Sequence, residues 1–169
     1  MKKAVLAACV GLVLAVPAAA RDLSGKLGLG FTQAFSPEGS GLTSLSARYW
    51  LDKQLGIEGV LGFKLVNDDD GPDERFWNLG GRFLIRIVQE DNLHVYGGAG
   101  LAVVHEKSDG ESDTGVGADA FAGVEFFFQG LPNLGFSTEV GLQLTDTGET
   151  TSFGTRGGSF ANFGIRYYY

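Results

Sequence analysis

From Arg21 onward, nearly every apolar stretch of the chain alternates with a period of two residues. Strands have this period because successive side chains point to opposite faces, whereas an amphipathic helix repeats every 3.6 residues. Eight such stretches follow one another: Leu23–Thr32, Ser44–Leu51, Leu55–Leu65, Trp77–Ile87, Leu93–Val103, Val116–Phe128, Leu134–Leu144 and Ala161–Tyr169. The pattern therefore predicts an all-β fold with eight strands.

The connections between these stretches alternate in length. Short connections lie at Asp52-Lys53, Gln89–Asn92 and Gln129–Asn133, and longer ones at Ala34–Ser40, Asn67–Arg75, His105–Asp113 and Asp146–Thr155. Barrels of bacterial outer membranes join their strands by short periplasmic turns and longer external loops in the same alternation. We therefore expect an eight-stranded antiparallel up-and-down barrel with both chain ends on the periplasmic side.

The N-terminal segment predicts export from the cytoplasm. Lys2 and Lys3 precede an apolar run that ends at Val16, and a small-residue triplet, Ala18 to Ala20, follows. The run is shorter than the ~20 residues of a membrane-spanning helix, and the triplet is an A-x-A cleavage site. We expect residues 1–20 to be a signal peptide that is cleaved after Ala20, and residues 21–169 to form one barrel domain.

Cleavage at this point would change the cysteine and charge content. The one cysteine, Cys9, would be lost, so that no thiol would remain for a disulfide, a thiolate metal site or a nucleophile. Loss of Lys2 and Lys3 leaves 11 basic groups against 20 acidic ones, and the formal charge changes from −7 to −9. This balance argues against a nucleic-acid partner, because phosphate binding requires a basic face.

Charged residues distinguish the two faces of the predicted strands. One face is almost purely apolar and aromatic, which favours a barrel surrounded by lipid over a soluble barrel whose outer surface must be wetted. We expect the charged face to line the lumen as a salt-bridge network, since buried charges are costly unless paired. Its predicted members are Lys26, Arg48, Glu58, Lys64, Arg82, Arg86, Asp119, Glu125, Glu139 and Arg166.

Two segments carry a resemblance to a known family. Within the last eight residues, Asn162, Gly164, Tyr167 and Tyr169 resemble the C-terminal β-signal that the barrel-assembly machinery recognises. The segment Ala47-Arg48-Tyr49-Trp50-Leu51-Asp52, followed by Leu55-Gly56-Ile57-Glu58, is similar to the second hairpin of small OmpA-like and OmpX-like barrels. The resemblance implies a Gram-negative outer-membrane protein that contacts membrane lipid and lipopolysaccharide and is inserted by the barrel-assembly machinery.

Catalytic residues are scarce in this sequence. Only His94 and His105 could act as an imidazole base. His94 lies on the predicted lumen face, where a hydrogen-bonded structural histidine is the simpler interpretation, and His105 begins a predicted external loop with Glu106, Ser108 and Asp109 nearby. The His-x-Ser pattern of the lipid A deacylase barrels is absent from the chain. We expect no enzymatic activity and no cofactor, because no nucleophile and base can be placed together.

An acidic run, Asn67–Glu74, suggests calcium, because clustered carboxylates attract hard cations. The run lacks the spacing of an EF-hand, and we predict no metal site. An open alternative is that these carboxylates, with Asp109, Glu111 and Asp113, share divalent cations with lipopolysaccharide phosphates.

Three hypotheses for the function remain open at this point. The leading one is a non-enzymatic barrel with a lumen plugged by side chains, which acts in envelope structure or as a subunit of a surface complex with envelope protein partners. The second is a narrow OmpW-like conduit for small or apolar molecules, because the basic excess in the predicted network could attract an anion. The third is a lipid A-modifying enzyme.

Overall fold

In the computed structural model, residues 21–35, 43–66, 74–108, 111–148, 150–156 and 161–169 are described. They form nine strands: β1 (Leu27–Thr32), β2 (Ser44–Trp50), β3 (Leu55–Val66), β4 (Glu74–Gln89), β5 (Leu93–Ser108), β6 (Glu111–Phe128), β7 (Leu131–Asp146), β8 (Thr151–Thr155) and β9 (Asn162–Tyr168). Within these ranges, no helix is long and apolar enough to cross a membrane.

The strands close into a barrel. Each strand from β1 to β7 pairs with the next in antiparallel register, and β9 pairs with both β7 and β1. β8 pairs with the Leu142–Asp146 end of β7 and β9 with its Leu134–Glu139 end, so that β8 and β9 together make the eighth strand of the wall. The predicted all-β, eight-stranded antiparallel barrel is confirmed.

The strand bounds differ from the expectation at the external end. β5 continues to Ser108 and β6 begins at Glu111, so that most of the predicted loop His105–Asp113 is strand. Thr151–Thr155, also expected to be loop, is β8. Alternating hydropathy marks only strand segments with lipid on one side, and the polar ends of long strands carry no such signal.

The short connections are confirmed as tight turns. Residues 51–54, 90–92 and 129–130 join β2 to β3, β4 to β5 and β6 to β7. In the first of them, the Asp52 carboxylate accepts hydrogen bonds from the backbone N–H groups of Leu55 at 2.7 Å and Gln54 at 2.6 Å. These bonds place the pKa of Asp52 below its usual value and fix the turn.

Side chains divide between the two faces as the alternation predicts. On β2, Leu45 and Tyr49 are exposed, whereas Ser46 and Arg48 are buried. Leu65 and Leu101 are about 70% exposed on the outer wall, at 68% and 71%. Such a surface is unfavourable in water at about 25 cal/mol per Å² of apolar area, and a lipid environment removes this cost. The predicted signal peptide, with Ala18 and Ala20, lies outside the described residues.

Candidate functional site in the barrel lumen

Eight ionisable side chains meet in the middle of the lumen, and we call them the central network. Each is at most 5% exposed. Four are guanidinium groups and four are carboxylates, so that the described members balance in formal charge. They are Arg48, Arg82, Arg156, Arg166, Glu58, Asp119, Glu125 and Glu139.

Strand register creates one side of the network. Arg48 on β2 lies opposite Glu58 on β3, which lies opposite Arg82 on β4. Residues opposite each other on neighbouring strands share a face, so these three form a row of alternating charge. Glu58 Oε2 lies 3.1 Å from Arg48 Nη2 and 2.9 Å from Arg82 Nη1, and Oε1 lies 2.5 Å from Arg166 Nη2.

Glu139 on β7 connects this row to the opposite wall. Its Oε1 lies 3.0 Å from Arg48 Nη2 and accepts a hydrogen bond from the Tyr96 hydroxyl at 2.7 Å. Its Oε2 lies 2.6 Å from Arg82 Nη2 and 2.7 Å from Arg156 Nη1. Both carboxylate oxygens are therefore fully engaged across the barrel.

The other two carboxylates hold the ends of the network. Asp119 Oδ2 lies 3.1 Å from Arg156 Nε and 3.5 Å from Arg82 Nε. Glu125 accepts a hydrogen bond from the Tyr168 hydroxyl, which lies 3.0 Å from Oε1 and 2.9 Å from Oε2. The same carboxylate lies 3.6 Å from the guanidinium groups of both Arg48 and Arg166. Every buried carboxylate in the central network thus contacts at least two guanidinium groups.

An apolar and aromatic layer closes the periplasmic side of the network. Its members are Leu23, Trp50, Leu84, Tyr96, Phe121, Phe127 and Tyr168. The layer contacts the charges directly: the Arg48 guanidinium carbon lies 4.6 Å from the Tyr96 ring centroid, and that of Arg82 lies 3.5 Å from the Phe121 centroid. The segment before β1 adds a further plug, since the Arg21 carbonyl accepts a hydrogen bond from Gln89 Nε2 at 2.8 Å.

A second apolar layer, of Ala34, Phe35, Val60 and Ala102, lies on the external side. After β1 the chain turns into the lumen, and Phe35 adopts a φ of +53°, in the left-handed region. The Phe35 carbonyl accepts a hydrogen bond from Asn78 Nδ2 at 3.0 Å, which holds the ring inside the barrel. In the described part of the chain, the lumen therefore consists of charge between two apolar layers.

The structure brings seven of the ten predicted network residues together and places three elsewhere. Lys26 is exposed, ahead of β1. Lys64 lies near the external end of β3 and pairs with Glu74 at 3.0 Å, where both side chains are at least 40% exposed. Arg86 lies near the periplasmic end, where it stacks 3.9 Å from the Trp50 ring and donates to the Lys53 carbonyl at 3.1 Å.

Arg156, by contrast, joins the central network without having been predicted. It follows β8 directly, between the predicted loop Asp146–Thr155 and the predicted last strand, which begins at Ala161. Neighbouring glycines and threonines give this segment no alternation, so that no pattern in the sequence indicated an inward direction. The predicted excess of basic residues disappears once Lys26, Lys64 and Arg86 leave the network and Arg156 enters it.

The two histidines contact a backbone carbonyl, a hydroxyl and aromatic rings. His94 is buried, and its Nε2 lies 3.2 Å from the Arg21 carbonyl. His105 lies on β5, where its Nδ1 is 2.8 Å from the Thr114 hydroxyl and its ring stacks on Trp77. Across the described ranges, no group of three or more His, Cys, Asp and Glu side chains could hold a metal. Most of the acidic run, residues 67–73, and Asp109 lie outside those ranges.

The residues of the predicted assembly signal lie on the closing strand and at its end. Asn162 and Gly164 are on β9, which pairs with both β7 and β1. Asn162 points inward and is buried, whereas Tyr167 and Tyr169 are 44% and 65% exposed on the outer wall. Recognition of these residues by the assembly machinery remains a prediction.

Comparison with known proteins identifies the family. A family model described as "Outer membrane protein beta-barrel domain" matches residues 5–169. The chain belongs to this family. No curated protein matches the sequence.

The chain is also similar to solved structures of other proteins. The N-terminal barrel domain of Pseudomonas aeruginosa OprF is 17% identical, with 88% of this chain and 100% of that chain covered and a TM-score of 0.54. Ail of Yersinia pestis is 18% identical, with 86% and 99% covered and a TM-score of 0.47. Neisserial surface protein A is 14% identical, with 84% and 92% covered and a TM-score of 0.47. At such identities the likeness to OprF concerns the fold alone.

Proposed function

We propose that this outer-membrane barrel is a non-enzymatic envelope protein with a closed lumen, which acts through its contacts with the membrane and with envelope partners. The observation that carries the proposal is the central network, in which four guanidinium groups and four carboxylates are each at most 5% exposed. Charges in a water-filled pore would be hydrated, whereas these contact one another across the full width of the lumen.

The layers on either side support the same function. Trp50, Tyr96, Phe121 and Tyr168 are at most 7% exposed below the network, and Phe35 is 1% exposed above it. An ion that crossed the barrel would have to break several buried ion pairs and displace an aromatic layer. Breaking one buried pair costs about 3–5 kcal/mol, so that permeation through this arrangement would be slow.

Charge balance weighs against the narrow conduit. An anion-selective constriction needs a surplus of positive charge. The network predicted from the sequence had such a surplus, with six basic and four acidic residues. The described members of the central network are four and four. A conduit would require a large rearrangement of these pairs.

The surroundings of the histidines support a role without catalysis. The described contacts of His94 and His105 include the Arg21 carbonyl, the Thr114 hydroxyl and aromatic rings. No carboxylate among the described residues orients either imidazole, as a hydrolytic triad would require. Mass spectrometry of lipid A from cells with and without the protein should show identical species, and a new acylated or deacylated species would support an enzyme.

Planar-bilayer conductance tests the proposal directly. The folded protein, recognised by its faster electrophoretic mobility before heating, should show no steady single-channel current. The Glu139→Gln variant should conduct intermittently if it folds, because it leaves one uncompensated cation in the central network. Reproducible single-channel current steps from the parent protein would contradict the closed lumen and favour the narrow conduit.

A further inference from the structure

A basic cluster lies on the outward face of the barrel at the external ends of β4 and β5. Arg75 on β4 lies directly opposite Lys107 on β5, and both are exposed. Two residues nearer the lipid, Trp77 lies opposite His105 on the same face. Within the described ranges, neither Arg75 nor Lys107 forms an ion pair. Like charges opposite each other on neighbouring strands are destabilising, so that an anion bound between the two would stabilise this pair.

The inward face of the same strand ends has the opposite charge. Glu74 and Glu106 lie on the inward face, and Glu106 is opposite Asp113 on β6. Glu74 pairs with Lys64, which also points toward the mouth. At these ends, β4 and β5 therefore carry acidic groups toward the lumen and basic groups outward, although the chain as a whole has a formal charge of −7. A partner that approaches the outward face of these two strand ends meets Arg75 and Lys107.

The height of the cluster places it at the level of lipid headgroups. On β4 the outward apolar residues run from Trp77 to Ile87, and on β5 from Leu93 to Val103. Ten residue steps of about 3.3 Å along strands tilted by about 40° span roughly 25 Å, the height of the apolar band of such barrels. Arg75, His105 and Lys107 follow this band immediately on the side of the long external connections.

The rings beneath the two cations are fixed in position. Trp77 and His105 stack with centroids 5.5 Å apart and planes inclined by 26°. His105 Nδ1 lies 2.8 Å from the Thr114 hydroxyl on β6, which orients the imidazole. Tryptophan is favoured at the boundary between lipid and water, so that this stack marks the boundary just below Arg75 and Lys107.

We propose that Arg75 and Lys107 bind the phosphate groups of a phosphorylated glycolipid of the outer leaflet, above the Trp77–His105 stack. A guanidinium group matches phosphate oxygens in a bidentate manner, and an ammonium group adds a second positive charge without a fixed geometry. Binding would also relieve the repulsion between the two cations. The inference rests on the outer-membrane location and is independent of whether the lumen is closed.

The test compares three proteins in phosphatidylcholine vesicles with and without bis-phosphorylated lipid A. They are the parent, the Arg75→Gln/Lys107→Gln variant and the Lys26→Gln/Lys64→Gln variant. The last loses the same two charges, one ahead of β1 and one at the inward mouth, and both residues lie outside the central network. The measured quantity is the temperature at which the folded, fast-migrating form disappears.

We expect lipid A to raise this temperature by several degrees in the parent and equally in the control variant. The Arg75→Gln/Lys107→Gln variant should lose at least half of the increase while it unfolds at the parent temperature without lipid A. If the double variant fails to fold, the single variants Arg75→Gln and Lys107→Gln are measured instead. Each of them should lose part of the increase in unfolding temperature. An equal increase in all proteins overturns the proposal.

Two further outcomes separate the phosphate from other sources of the effect. Lipid A from which both phosphates have been removed should give no increase in the parent, and a full increase would show that the sugar or acyl chains bind instead. Inorganic phosphate at a matched concentration should also give no increase. An increase with inorganic phosphate alone would assign the cluster to a free anion and overturn the lipid assignment.

Discussion

Glu139 accepts hydrogen bonds from the guanidinium groups of Arg48, Arg82 and Arg156 and from the phenol of Tyr96. It is 1% exposed, so that these contacts replace all of its hydration. A buried carboxylate is stabilising only when such partners compensate for the lost water. A single residue therefore connects β2, β4, β5 and the turn after β8 to the wall that β7 forms.

Replacement of this carboxylate should strongly destabilise the barrel. Glu139→Gln keeps the shape of the side chain but leaves four buried guanidinium groups with three carboxylates. We expect the free energy of unfolding to fall by about 3–5 kcal/mol, measured by urea titration in lipid vesicles. The control Lys64→Gln breaks an exposed pair and should change it by about 0–1 kcal/mol. Equal effects of the two substitutions would contradict the buried network.

Individual strands show how far sequence alone predicts this site. Alternation gives the face to which a side chain points, and it assigned Arg48, Glu58 and Arg82 to the inner face, where the register aligns them in one row. It does not give height along the barrel axis. Lys26 and Lys64 were assigned to the inner face, yet they lie toward opposite ends and do not reach the central network.

Height depends on register, and register depends on contacts between strands that are distant in sequence. Arg86 shares the inner face of β4 with Arg82, but its position four residues nearer the periplasmic end places it against Trp50 instead of a carboxylate. Arg156 lies beyond an alternating stretch, and only the pairing of β8 with β7 brings it to Glu139. The fold was therefore predictable, whereas the membership of the network was predictable only in part.

The seam between β1 and β9 depends on Gly30. Gly30 lies opposite Arg166, and a Cβ added to it would overlap the Ile165 carbonyl and lie 2.7 Å from the Arg166 Cα. Because a strand protein in lipid must close its wall, we expect Gly30→Ala to lower the free energy of unfolding by about 1–3 kcal/mol.

The matched control for this seam is Gly59→Ala on β3. Gly59 faces outward, and an added Cβ would meet nothing within 4 Å. Urea titration in vesicles should place its unfolding midpoint near that of the parent. If Gly30→Ala were as stable as Gly59→Ala, the close approach of β1 and β9 would not limit closure.

At the scale of the whole molecule, the barrel reverses the arrangement of a soluble protein. Phe63, Leu79 and Phe83 are exposed on the outer wall, while Arg48 and Glu125 are completely buried. In lipid, the apolar wall carries no hydration cost, and the charges gain from the low polarity around them. The inner and outer faces are therefore stabilised by the same membrane.

The fluorescence of the two tryptophans can test this arrangement, because they lie on different faces of the wall. Trp77 is 40% exposed on the outer wall, whereas Trp50 is completely buried in the lumen. Vesicles that contain brominated lipids should quench the fluorescence of the parent substantially. The Trp77→Phe variant, which retains only Trp50, should be quenched much less, and equal quenching of both proteins would contradict the assigned faces.

The shared partners in the lumen also restrict how this protein can change over evolutionary time. Each carboxylate of the central network contacts at least two arginines, so that no ion pair can be lost without disturbing another. A substitution at Arg82 or Glu139 would be tolerated only with a compensating change elsewhere in the lumen. The interior should thus be inherited as one block of mutually dependent positions, while outward positions such as Gly59 drift independently.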